Sequence, residues 1–135
     1  MRSIVISIFS VLSFSAALAQ CDEAAATCEQ YIPDGFISDG QSYRALLVDE
    51  ETAEFRTTFF SGTIYRLAAC GGEEAGNIVF RVLDVKRNLL FTNEDYDLNP
   101  YWNFKAQATQ DVLIEARLRE PEGSGCAVLL VSFER

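Results

Sequence analysis

The chain has 135 residues, of which 49% are hydrophobic, with 11 basic and 20 acidic side chains, a formal net charge of −9 and no histidine. That length suits one domain with a modest core, and the negative field argues against nucleic acid or anionic lipid as a partner. Without histidine a Ser-His-Asp triad is excluded, so neither Ser61 nor Ser124 has the base that would activate it.

In chain order, Met1-Arg2 is a short positive start, residues 4–14 are apolar and Ala17-Leu18-Ala19 fits a small-x-small cleavage site. Residues 1–19 therefore read as a signal peptide, with a single domain at 20–135. The apolar stretch is short for a membrane span and lacks a basic stop-transfer flank, so no stable membrane insertion is expected after removal. Lipidation at Cys21 is disfavoured because Gln20 stands where a small residue is required. The expected location is the periplasm or the extracellular space.

Residues 22–30, rich in Ala and Glu, suggest one or two helical turns that stop near Ile32-Pro33-Asp34-Gly35. Asp39-Gly40 signals a turn, after which strands are predicted at 43–48 and 54–60, where Phe55, Thr57 and Phe59 share one face and Arg56, Thr58 and Phe60 the other. Ser61-Gly62 bends the chain. The runs 63–70 and 78–84 flank a polar, Gly-rich connection and read as an antiparallel pair at the sheet centre. Further strands are expected at 89–92, 101–108, 111–118 and 126–133, separated by a turn at 86–88, an acidic loop at 93–100 and a flexible loop at 121–125. Parity assigns Phe80, Val82, Trp102, Phe104, Ile114, Leu129 and Val131 to the core.

Eight short strands at regular spacing argue an all-β protein, a single antiparallel β-sandwich of jelly-roll or immunoglobulin-like kind with a short N-terminal helical or irregular lead-in.

Cys21, Cys28, Cys70 and Cys126 all lie in the expected exported part, where an oxidising compartment favours two disulfides. Zinc is disfavoured because no Cys-x-x-Cys knuckle is present. Cys70 and Cys126 both stand at strand ends beside Gly-rich loops, which suggests a Cys70–Cys126 bridge and, by elimination, Cys21–Cys28. A helix over 21–31 opposes the second pairing, since seven helical residues separate Cα atoms by about 10 Å, beyond the reach of a disulfide. Sequence leaves three connectivities formally open.

Two loop features carry candidate chemistry. Asn93, Asp95, Asp97 and Asn99 alternate oxygen-bearing side chains that a loop can fold around calcium, although the glycine and terminal glutamate of an EF-hand are missing; a solvated acidic loop is the simpler reading. Tyr96, Tyr101 and Trp102 offer planar rings for a sugar, against which Trp102 shares the parity of Phe104 and so fits the core. Paired carboxylates such as Asp95 and Asp97 give no separation from which a glycosidase can be argued.

The segments 54–70, 80–84, 90–93, 102–104 and 125–133 (among them Phe59-Phe60-Ser61-Gly62-Thr63-Ile64-Tyr65-Arg66-Leu67, Trp102-Asn103-Phe104 and Gly125-Cys126) resemble a group of small exported Bacteroidetes-type bacterial proteins of unassigned activity. More loosely, the order Gly-x-x-Tyr-Arg-Leu, a strand ending in Asp, a turn and a Trp-x-Phe strand is similar to pre-peptidase C-terminal domains and other jelly-roll modules. These resemblances imply an exported β-rich module and supply no catalytic residues. The functional expectation is an exported, non-enzymatic binding or interaction module of the envelope or extracellular space, with a protein or glycan as partner and no required cofactor. The alternative is a calcium- or carbohydrate-binding jelly-roll module.

Overall fold

The computed structural model describes residues 13–71, 77–119 and 124–135. Helix α1 (Ser13–Glu29) precedes strands β1 (Phe36–Val48), β2 (Thr52–Phe59), β3 (Ile64–Cys70), β4 (Ile78–Asp84) and β5 (Leu89–Thr92). A 3-10 turn, Asn93–Tyr96, then leads to β6 (Tyr101–Lys105), β7 (Gln110–Leu118) and β8 (Ser124–Glu134). Residues 1–12 of the expected export signal lie outside the described residues, and α1 runs through the expected cleavage point. No described helix is long and apolar enough to cross a membrane.

The strands form two four-stranded antiparallel sheets, ordered β1-β8-β3-β6 and β2-β7-β4-β5. This is the β-sandwich expected from strand number and spacing, with one correction at its centre. Strands β3 and β4 are not partners: β3 pairs with β6 and β8, whereas β4 pairs with β5 and β7. Both are interior strands, but of opposite sheets, and residues 72–76 of the Gly-rich connection between them lie outside the described residues. Propensity identifies such strands without revealing which neighbour each takes.

A second correction concerns Asp39-Gly40. The chain does not turn there but carries a break in register between Ser38 and Ser42, so β1 begins at Phe36. Gly40 sits at φ +82°, a conformation that glycine adopts without a Cβ penalty.

Between the sheets the core is built from Leu67, Phe80, Val82, Val112, Ile114, Leu129 and Val131, all essentially inaccessible. Trp102 and Phe104, expected in that core, pack against it while only partly buried, because β6 is an edge strand with no strand on its far side among the described residues. Phe80→Ala is accordingly expected to cost roughly 3–5 kcal/mol, and Trp102→Ala roughly 1–3 kcal/mol, both measured by urea unfolding. Equal losses would contradict an open β6 margin.

A third layer covers the outer face of the first sheet. In α1, Cys21, Ala24, Ala25 and Cys28 recur at helical spacing and pack on Ala68, Cys70, Cys126, Val128 and Leu130. The bridges are Cys21–Cys126 and Cys28–Cys70, with Cα–Cα separations of 5.2 and 5.5 Å. The expected Cys70–Cys126 and Cys21–Cys28 pairs are therefore corrected, and the physical reason lies in two spacings. Cys70 pairs in register with Val128, so Cys126 is its diagonal neighbour, roughly 7–8 Å away and outside disulfide range. On a helix, residues seven apart point the same way about 10 Å apart, which lets each thiol meet a different strand.

Beyond the bridges, Arg66 clamps the end of the helical segment. Its guanidinium donates to the Tyr31 carbonyl at 3.0 Å and to Asn103 Oδ1 at 2.6 Å, and lies 4.1 Å from the Tyr101 ring centroid.

Candidate functional site

Within the acidic loop, Asn93 turns inward whereas Asp95 and Asp97 stay at the surface. Asn93 is fully buried: its Oδ1 accepts the Phe80 N–H at 3.0 Å, and its Nδ2 donates to the Ile78 carbonyl at 2.9 Å and the Asn99 carbonyl at 3.3 Å. Strand β5 pairs only with residues 81–83 of β4, and the Asn93 amide supplies the missing partner for residues 78–80. Asp95 and Asp97 are exposed, and Asp97 holds a left-handed conformation at φ +54° that closes the 3-10 turn. Among the described residues no group of three or more His, Cys, Asp or Glu side chains is placed to hold a metal.

Of the three aromatic candidates, Tyr96 and Trp102 share one stack and Tyr101 lies elsewhere. Trp102 stacks on Phe91 at 4.3 Å with an 8° interplanar angle and on Phe104 at 4.2 Å and 19°. These two phenyl rings make no ring contact with each other and so occupy opposite faces of the indole. Phe91 also stacks on Tyr96, at 5.4 Å and 16°. The result is a row of four rings, Tyr96–Phe91–Trp102–Phe104, along the β5/β6 margin, of which Tyr96 at its end is the most exposed, at 62%. Tyr101 has the opposite parity and packs beside Tyr31 under the end of the helical segment.

The most built-up exposed feature is the turn at 60–63, which carries the chain from β2 in one sheet to β3 in the other. Alternation along β2 sends Phe59 into the core and Phe60 outward, leaving the Phe60 ring 59% exposed. The turn beneath it is braced on every side. The Phe60 N–H donates to the Tyr65 hydroxyl at 2.8 Å, the Ser61 N–H to Thr109 Oγ1 at 3.0 Å and the Ser61 hydroxyl to the Gln107 carbonyl at 3.2 Å. The Gly62 N–H reaches the Ala106 carbonyl at 2.8 Å, and the Ala106 N–H returns to the Thr63 carbonyl at 3.0 Å. Gly62 lies at φ +84°, a value that explains the glycine.

A groove borders the turn on each side. One, about 410 Å³, lies along the β1/β2 margin and is walled by Asp39, Tyr43, Arg56, Thr58, Phe60 and Phe133. The other, about 300 Å³ and mainly apolar, lies toward β5 and is walled by Phe59, Leu90, Trp102, Phe104, Gln107 and Gln110. The first is electrostatically organised. The Thr58 hydroxyl at 2.6 Å and the Arg56 guanidinium at 3.0 Å hold the Asp111 carboxyl below the usual range. Burial pushes the Asp39 carboxyl up, partly offset by the Gln41 N–H. The turn was readable in sequence as Ser61-Gly62, but its importance rests on Phe60, whose outward parity with Arg56 and Thr58 was the available signal.

No protein-family model matches the chain, and no curated protein matches it. The fold resembles the crystal structure of Aeromonas hydrophila PliG, a periplasmic lysozyme inhibitor of g-type lysozyme. The TM-score is 0.55 at 14% identity, and the match covers 76% of this chain and 90% of that one.

Proposed function

We propose that this protein is an exported, non-enzymatic binding module that engages a protein partner through the turn at 60–63. The observation that carries this reading is an aromatic side chain held 59% exposed on a turn pinned by backbone and side-chain hydrogen bonds, between two grooves. A large ring on a rigid support suits an interface anchor, because little conformational freedom is lost when it docks. The signal-like N-terminus and the two disulfides support an oxidising, extracytoplasmic setting.

A net charge of −9 favours a cationic partner through long-range steering. The shared sandwich with a lysozyme inhibitor is a fold-level analogy, and it makes g-type lysozyme the first partner to test. Calorimetric titration of the two proteins should give a stoichiometric complex. Phe60→Ala should weaken it roughly 30-fold with an unchanged urea midpoint. Full affinity in the variant would place the contact elsewhere, and no complex would remove g-type lysozyme as the partner.

The free outer face of Tyr96, beside Glu94 and Asp95, favours a second reading, a sugar-binding surface at the β5 margin. A glycan array with and without calcium, repeated with Tyr96→Ala, tests it: binding lost in the variant supports the reading, and no glycan binding removes it.

A further inference from the structure

The two sheets present four edge strands, and they are not equivalent. Strands β5 and β6 have only 4 and 5 residues, and β1 is broken in register between Ser38 and Ser42; short length and irregularity are the usual devices that stop an edge from pairing. Strand β2 has neither. It runs 8 residues in unbroken register with β7, from Thr52↔Arg117 to Phe59↔Gln110, and among the described residues no strand pairs with its other side.

Its outward side chains are Thr52, Glu54, Arg56 and Thr58, while Ala53, Phe55, Thr57 and Phe59 turn toward the core. This order is self-complementary about one point. We propose that β2 pairs antiparallel with β2 of a second copy, on a two-fold axis at Phe55, to join the two β2-containing sheets into one. That register sets each Glu54 opposite the second copy's Arg56, with Thr52 opposite Thr58 and Ala53 opposite Thr57. Moving the axis to Arg56 sets arginine against arginine, and moving it to Glu54 sets glutamate against glutamate. The charge pattern therefore favours the Phe55 axis over the registers centred on its two neighbours.

Glu54 and Arg56 already make exposed ion pairs within the chain, with Arg87 at 2.9 Å and Asp111 at 3.0 Å. Such surface pairs are weak and can be shared, so the dimer would extend them into two symmetry-related rows Arg87–Glu54–Arg56–Asp111, each crossing the seam once between Glu54 and the second copy's Arg56. This inference does not rest on the identity of any foreign partner or on the turn at 60–63.

Sedimentation velocity across a dilution series from millimolar concentration tests it, with circular dichroism confirming that each variant is folded. The wild-type protein is expected to show a reversible dimer. Glu54→Arg, or separately Arg56→Glu, should weaken it about tenfold, and the double exchange Glu54→Arg with Arg56→Glu should restore it. A wild-type monomer throughout the series, a dimer indifferent to either single reversal, or a double exchange that fails to recover association would each overturn the proposal.

Discussion

Asn93→Asp should destabilise the protein by roughly 3–5 kcal/mol at neutral pH, the scale of an uncompensated buried charge. The wild-type amide is fully buried and uses both ends: it accepts from the Phe80 N–H and donates to the carbonyls of Ile78 and Asn99. Aspartate keeps the acceptor, loses the donor and sets a carboxylate against two carbonyl oxygens. Burial would raise the folded-state pKa of that new carboxyl above its unfolded value of about 4. The deficit should therefore grow as pH rises through that unfolded value and shrink below it, where both states carry the proton. Asn93→Leu removes the charge problem but leaves the Phe80 N–H and the Ile78 carbonyl unpaired, at about 1–3 kcal/mol each. Urea unfolding across pH measures both variants. A loss below about 1 kcal/mol in either would mean that the amide does not complete the β4 ladder.

The second large effect concerns the bridges that tie α1 to the first sheet. Replacing Cys28 and Cys70 together by alanine should cost up to about 4 kcal/mol, the chain-entropy estimate for a separation of 42 residues. Replacing Cys21 and Cys126 should cost up to about 5 kcal/mol, because that separation is 105 residues. With both pairs removed, α1 is held by its small apolar face, the Arg44–Asp22 ion pair and the Arg66 contacts. The helix should then be cleaved by protease before the sandwich unfolds. Non-reducing peptide mapping should recover Cys21–Cys126 and Cys28–Cys70 peptides. A Cys70–Cys126 peptide would contradict the docking of α1.

Much of the architecture is legible in the sequence because its strands alternate cleanly. Val112, Ile114 and Ala116, or Phe80 and Val82, declare an inward face at period 2, and the structure buries all five. Pairing is less legible, since β-branched content identifies β3 and β4 as interior strands without indicating that they belong to opposite sheets. The cysteines illustrate the same gap. Their connectivity depends on a diagonal offset between β3 and β8 and on the pitch of α1, and both are tertiary quantities. Trp102 takes the inward face that parity assigns but is only partly buried against the core, because topology, which parity does not reveal, makes β6 an edge.

The candidate site was legible in a different way. An oxygen-bearing side chain at 93 reads equally as a ligand or as a buried strut, and the absent β5 partner beside residues 78–80 decides for the strut. Phe60 was marked by its outward parity, whereas the bracing from Ala106, Gln107 and Thr109 joins segments more than 40 residues apart along the chain.

Amide hydrogen exchange with and without saturating g-type lysozyme tests the central claim most directly. Protection is predicted at residues 59–65 and 106–110, where the exposed ring and the grooves meet, with residues 93–97 unchanged. Protection centred on Tyr96 and its neighbours, or no difference anywhere in the chain, would contradict it.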